Sequence, residues 1–124
     1  MSKGTLWGVL LLTLAVLGNT GASLVLKWAS LPQYQVDVTS SSLPPMRAVG
    51  LAAALICYAL AFVSYFLALR TFPVSVAYPL ITSISVALIT VAANHFFNEP
   101  ITLQTLFGTM FILVGIVILM GGTR

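Results

Sequence analysis

RTFPVSVAYPLITSISVALITVAANHFFNEP, residues Arg70 to Pro100, decides the fold. A largely apolar run without Asp, Glu, Lys or Arg, from Val74 to Phe97, sits between two short turns, Arg70-Thr71-Phe72-Pro73 and Asn98-Glu99-Pro100, each closed by a proline. A helix needs about 20 apolar residues, rising 1.5 Å each, to cross a hydrocarbon core of about 30 Å. The run is long enough, and each proline suits a helix start better than a helix interior. Outward from it, similar stretches run over about 46–69 and 101–120, and another over about 4–28, softened in its middle by Gly18-Asn-Thr-Gly-Ala-Ser23. The expected fold is all-α: one integral membrane domain, residues 1–124, forming a four-transmembrane-helix bundle that functions as a dimer. The tight turns force spans two, three and four into an up-down-up set.

Composition agrees. Of 124 residues, 60% are hydrophobic and 6% charged, whereas a soluble domain carries about 25% charged residues to cover its surface. The charges are Lys3, Lys27, Asp37, Arg47, Arg70, Glu99 and Arg124. Five scattered cations make no stripe for a phosphate backbone, so nucleic acid is not an expected partner. Cys57 is the single cysteine and lies inside an apolar run, which leaves no disulfide framework and no Cys/His metal set. Neither a Gly-rich phosphate loop nor a Ser/His/Asp set is present, so catalytic residues, metal and cofactor are all expected to be none. Lys3 and the small residues near Gly21-Ala22-Ser23 loosely fit a cleaved leader, but apolar character resumes at Leu24-Val25-Leu26, which argues for a retained span.

An even number of spans puts both termini on one side. Lys3, Arg70 and Arg124 share that side, against Lys27 and Arg47 on the other, offset by Asp37 and Glu99. Positive-inside reasoning places the termini in the cytoplasm, and the narrow margin is compatible with insertion both ways round. The loop over 31–45, LPQYQVDVTSSSLPP, reads either as a short strand or as a segment lying on the membrane surface.

Polar side chains inside the spans mark the candidate site, because hydrocarbon penalises them unless they face protein or water. Asn19, Ser23 and Lys27 recur every four residues on one face of the first span. Lys27, near its end, reads as a snorkelling anchor or as a cation for an anionic headgroup, with Arg47 at the same membrane level to share the task. The third span offers Ser75, Tyr78, Thr82 and Ser85 on one face around Pro79, and the second offers Tyr58, Phe62 and Tyr65. Hydroxyls beside aromatic rings suit a sugar, which stacks its C–H face and hydrogen-bonds its edges. No span contains Asp or Glu, so the proton-exchanging carboxylate of a coupled cation exporter is missing. His95 reads as an interfacial polar residue. On the fourth span Gly108, Ile112 and Gly115 form a small-residue face fit for a second helix.

From about Tyr58 onward the chain resembles the small multidrug resistance branch of the drug/metabolite transporter superfamily. The resemblance is carried by Pro73-Val-Ser-Val-Ala-Tyr-Pro79, by Phe97-Asn-Glu-Pro-Ile-Thr102, and by Gly108 to Gly115 with the following Ile-Val-Ile-Leu; Lys27-Trp28-Ala29-Ser30 matches the family's first-helix exit. Drug exporters of that branch carry a glutamate where Asn19 stands and a tryptophan where Ile81 stands, and glycines in place of Ser83 and Ser85. Within it the chain is most similar to the EamA-like subunits that flip aminoarabinose-phosphoundecaprenol. That similarity implies the bacterial inner membrane, a lipid substrate, and a homodimer or a heterodimer with a sibling four-helix subunit, often in opposed orientations. The leading expectation is a passive, non-enzymatic flippase for a polyprenyl-phosphate-linked sugar, with Asn19, Ser23, Lys27, Arg47, Tyr58, Tyr78, Thr82 and Ser85 meeting the substrate. The alternatives are a proton-coupled exporter of quaternary ammonium compounds and an accessory membrane subunit without transport of its own.

Overall fold

The computed structural model describes residues 3–31 and 45–122. They form four helices: α1 (Lys3–Ala29), α2 (Pro45–Ala68), α3 (Val74–Phe97) and α4 (Leu103–Gly121). Each is long and apolar enough to cross a membrane, and among the described residues there is no strand. The chain is thus an all-α, multi-pass bundle. The loop's reading as strand or surface segment, with Asp37 and Arg124, lies outside the described residues.

Local chemistry sets the helix ends. α3 follows Pro73 and stops at Asn98, which adopts a left-handed conformation (φ 52°, ψ 32°) while its N–H bonds to the Ala93 carbonyl. Asparagine tolerates that conformation better than most residues, and such a cap satisfies a carbonyl the helix end would otherwise leave open. The Asn94 side-chain amide donates to the Glu99 carbonyl at 2.7 Å and pins the turn. α4 begins two residues later than the hydropathy suggests. Thr102 is extended and its hydroxyl accepts the Thr105 N–H at 3.2 Å, so it serves as the cap rather than as part of the helix.

α1 is continuous through Gly18 to Ser23, with no softening. The reason lies in packing. A Cβ at Gly18 would fall 2.9 Å from the Ala61 Cβ, and one at Gly50 would fall 2.8 Å from the Ala29 Cβ. These two glycines let the antiparallel α1 and α2 lie almost backbone to backbone, the close small-residue contact that membrane helices use in place of hydrophobic drive. α3 packs on α1 and the end of α2 through a cluster of Leu12, Ala15, Val16, Ala68, Ala77 and Ile81. α4 rests mainly on α3, and Ile116 is its one buried residue among those described.

Candidate substrate site

Where α1, α2 and α3 meet, a cavity of about 220 Å³ is lined by Asn19, Tyr58, Tyr65, Tyr78 and Thr82, with Ile81 behind them. The Tyr65 and Tyr78 rings lie 6.3 Å apart at 56°. The Ser23 hydroxyl donates to the Asn19 carbonyl at 2.9 Å and also lies 3.2 Å from the Tyr58 hydroxyl. A serine has one proton to give. With that proton on Asn19, the Tyr58 hydroxyl is the donor to Ser23. Thr82 likewise donates to the backbone, to Tyr78 at 3.0 Å or Pro79 at 3.1 Å, so it faces the cavity as an acceptor. The cavity therefore offers the Asn19 amide as donor and acceptor, the Tyr78 hydroxyl, acceptor oxygen and aromatic faces. None of its lining residues carries a charge. Such a lining solvates hydroxyls and stacks on C–H faces.

Charge gathers at one end of the bundle. The Lys27 ammonium lies 2.7 Å from Glu99 Oε1, joining the end of α1 to the α3–α4 turn, with each side chain about half exposed. The cation expected to await a headgroup is thus held by a carboxylate that the count of spans puts on the same side, though not at the site. A half-exposed pair contributes at most about 1 kcal/mol, so an incoming anion can displace it. Arg47 stands apart, beside a cleft of about 260 Å³ with Leu26, Ala29, Ser30 and Leu51. Its Nε is buried without a hydrogen-bond partner among the described residues.

The other expected residues are placed differently. Ser85 is buried, at 1% exposure, and does not line the tyrosine cavity. Thr20, which the sequence sets beside the Asn19, Ser23 and Lys27 stripe but not among the expected site residues, is buried as well. Gly108, Ile112 and Gly115 are exposed on α4, and a Cβ at either glycine would meet nothing within 4 Å. His95 lies at the exposed end of α3 with its ring edge against Phe96. No group of three or more His, Cys, Asp or Glu suited to a metal occurs among the described residues. A second cavity of about 520 Å³, bounded by Leu12, Val16, Leu80, Ile84 and Met120, is almost wholly hydrocarbon-lined.

The model of the EamA-like transporter family matches residues 2–121. A probable 4-amino-4-deoxy-L-arabinose-phosphoundecaprenol flippase subunit ArnF of Aeromonas hydrophila is 31% identical over 120 residues, covering 94% of this chain and 82% of that protein. The ArnF counterpart of Serratia proteamaculans is 37% identical over 124 residues, covering 92% and 89%. A probable ArnE subunit of Escherichia fergusonii is 40% identical over 72 residues, covering 58% and 64%. No solved structure matches the chain.

Proposed function

The chain belongs to the EamA-like transporter family, and on that premise we propose that it is a flippase subunit. It moves a polyprenyl-phosphate-linked sugar across the bacterial inner membrane as one half of a dimer. The observation that carries this reading is an uncharged cavity of hydroxyls, amide and aromatic rings inside the bundle, with Lys27 and Arg47 in reach of one membrane face. The names of the ArnF and ArnE relatives support the choice of cargo.

In this reading the phosphate exchanges with the Glu99 carboxylate for the Lys27 ammonium, while Arg47 supplies a second cation from the α1–α2 cleft. The sugar enters the tyrosine cavity, stacks on Tyr65 and Tyr78, and bonds to Asn19 and Thr82. The prenyl chain stays in hydrocarbon. No covalent bond is made or broken, so the protein is not an enzyme. An anion moving outward gains about 2.3 kcal/mol per charge per 100 mV of inside-negative potential, on top of any concentration gradient. The exposed α4 face of Gly108, Ile112 and Gly115 receives the second subunit, a further copy or a sibling. With termini in the cytoplasm the Lys27 end faces outward. A partner in the opposite orientation places a like end at the inner face, so the phosphate meets a cation at entry and at exit.

The test is reconstitution in liposomes, alone and with a sibling subunit, following the transbilayer movement of 4-amino-4-deoxy-L-arabinose-phosphoundecaprenol. Wild type speeds the movement, Lys27→Gln slows it severalfold, and Glu99→Gln, which releases the ammonium, tightens lipid binding. Rates equal to protein-free vesicles in both preparations refute the flippase reading. Unchanged rates with Lys27→Gln remove the phosphate role of that residue.

A further inference from the structure

We propose that Thr20 and Ser85 form a second hydroxyl-binding subsite, set in the α1–α3 seam apart from the tyrosine cavity, which takes up a hydroxyl of the passing sugar. The proposal rests on the flippase reading and assigns that cargo a further contact.

Hydroxyls on membrane helices ordinarily give their proton to the carbonyl one turn back. Ser23, Ser64, Thr82, Ser83, Thr90 and Thr109 all do so here, at 2.7–3.0 Å. Thr20 and Ser85 differ. They are 8% and 1% exposed, and neither hydroxyl has a hydrogen-bond partner among the described residues. An unpaired hydroxyl in apolar surroundings is costly, and in a folded protein such a group calls for an explanation.

Helical register aligns them along one seam. Leu12 and Val16 of α1 belong to the cluster that holds Ala77 and Ile81 of α3. A further step of four residues along each helix, which keeps to the same face, reaches Thr20 and Ser85. The seam begins where Gly8 lies against Thr71 and Phe72 and ends at the Lys27–Glu99 ion pair. It is also the looser of the two seams that α1 makes. Along α2, Gly18 and Gly50 are pressed onto Ala61 and Ala29, whereas along α3 lies the 520 Å³ apolar cavity. Parting α1 from α3 therefore disturbs soft packing and one half-exposed ion pair, and leaves the rigid α1–α2 contact intact. The phosphate that takes Lys27 from Glu99 unfastens the end of this same seam.

The ligand chemistry is an oxygen that both donates and accepts, which a sugar hydroxyl and a water molecule share. The near-isosteric variants Thr20→Val and Ser85→Ala, with Thr20→Ser as the conservative control, separate the two. Each is reconstituted as the assembly that transports, and the movement of 4-amino-4-deoxy-L-arabinose-phosphoundecaprenol is compared with that of sugar-free undecaprenyl phosphate. Loss of either hydroxyl is expected to slow the sugar-bearing lipid roughly fivefold, the worth of one net hydrogen bond. The sugar-free lipid moves at an unchanged rate, the melting temperature holds or rises because an unpaired buried hydroxyl is removed, and the conservative variant keeps the wild-type rate. Equal slowing of both lipids, or a lowered melting temperature, marks a structural hydroxyl serving water alone and overturns the proposal. An unchanged rate for the sugar-bearing lipid overturns it too while leaving the flippase reading in place. A wild-type protein that moves neither lipid overturns both.

Discussion

Replacing Gly18 by alanine should drive α1 and α2 apart. The added Cβ would lie 2.9 Å from the Ala61 Cβ, 3.1 Å from the Cys57 carbonyl oxygen and 3.4 Å from the Ala61 Cα. Carbon atoms in contact prefer about 3.5–4.0 Å, so the shortfall at Ala61 is roughly 0.6 Å or more. Neither neighbour can swing aside, since one is a methyl fixed to the backbone and the other is backbone itself. The helices must separate instead, and overpacking of this kind costs about 1–3 kcal/mol. Alanine returns up to about 1 kcal/mol of helix propensity, which leaves a net loss of up to about 2 kcal/mol. Gly21, three residues further along the same helix, has nothing within 4 Å of its Cβ position, so Gly21→Ala keeps the propensity gain without the clash. Thermal unfolding of the solubilised protein, followed by circular dichroism, should show Gly18→Ala melting several degrees below wild type and Gly21→Ala at or above it. Gly18 also adjoins Asn19, and Ala61 lines the tyrosine cavity, so the wedge should weaken sugar-lipid binding as well. If the two alanine variants melt alike, the backbone-to-backbone contact of α1 and α2 is wrong.

Two further outcomes follow from the same packing. Gly115→Leu adds bulk where the protomer offers open space, so helix content and melting should hold while the dimer fraction falls in light scattering; an undiminished dimer places the subunit contact elsewhere. Tyr58→Phe removes the proton that the Ser23 hydroxyl accepts at 3.2 Å, a loss of about 0.5–1.5 kcal/mol. It should weaken binding of the sugar-bearing lipid more than that of undecaprenyl phosphate, and equal effects on the two would contradict a sugar in this cavity.

The four spans and their two tight turns were legible in the sequence because they depend on local physics. Apolar length measures a bilayer crossing, and inside the bilayer each helix satisfies its own backbone, so a span is written in its own residues. Even the shared membrane side of Lys27 and Glu99 follows from counting spans. What the sequence left open was rotation. Where nearly every position is apolar, helix faces are weakly marked, and the side a helix turns inward is settled by its fit against neighbours distant in the chain. Only the tertiary structure decided that Gly18 is a point of close approach rather than a soft spot, because the reason is Ala61 on another helix. It alone joined Ser23 to Tyr58 and Lys27 to Glu99, and buried Ser85 outside the lining of the tyrosine cavity.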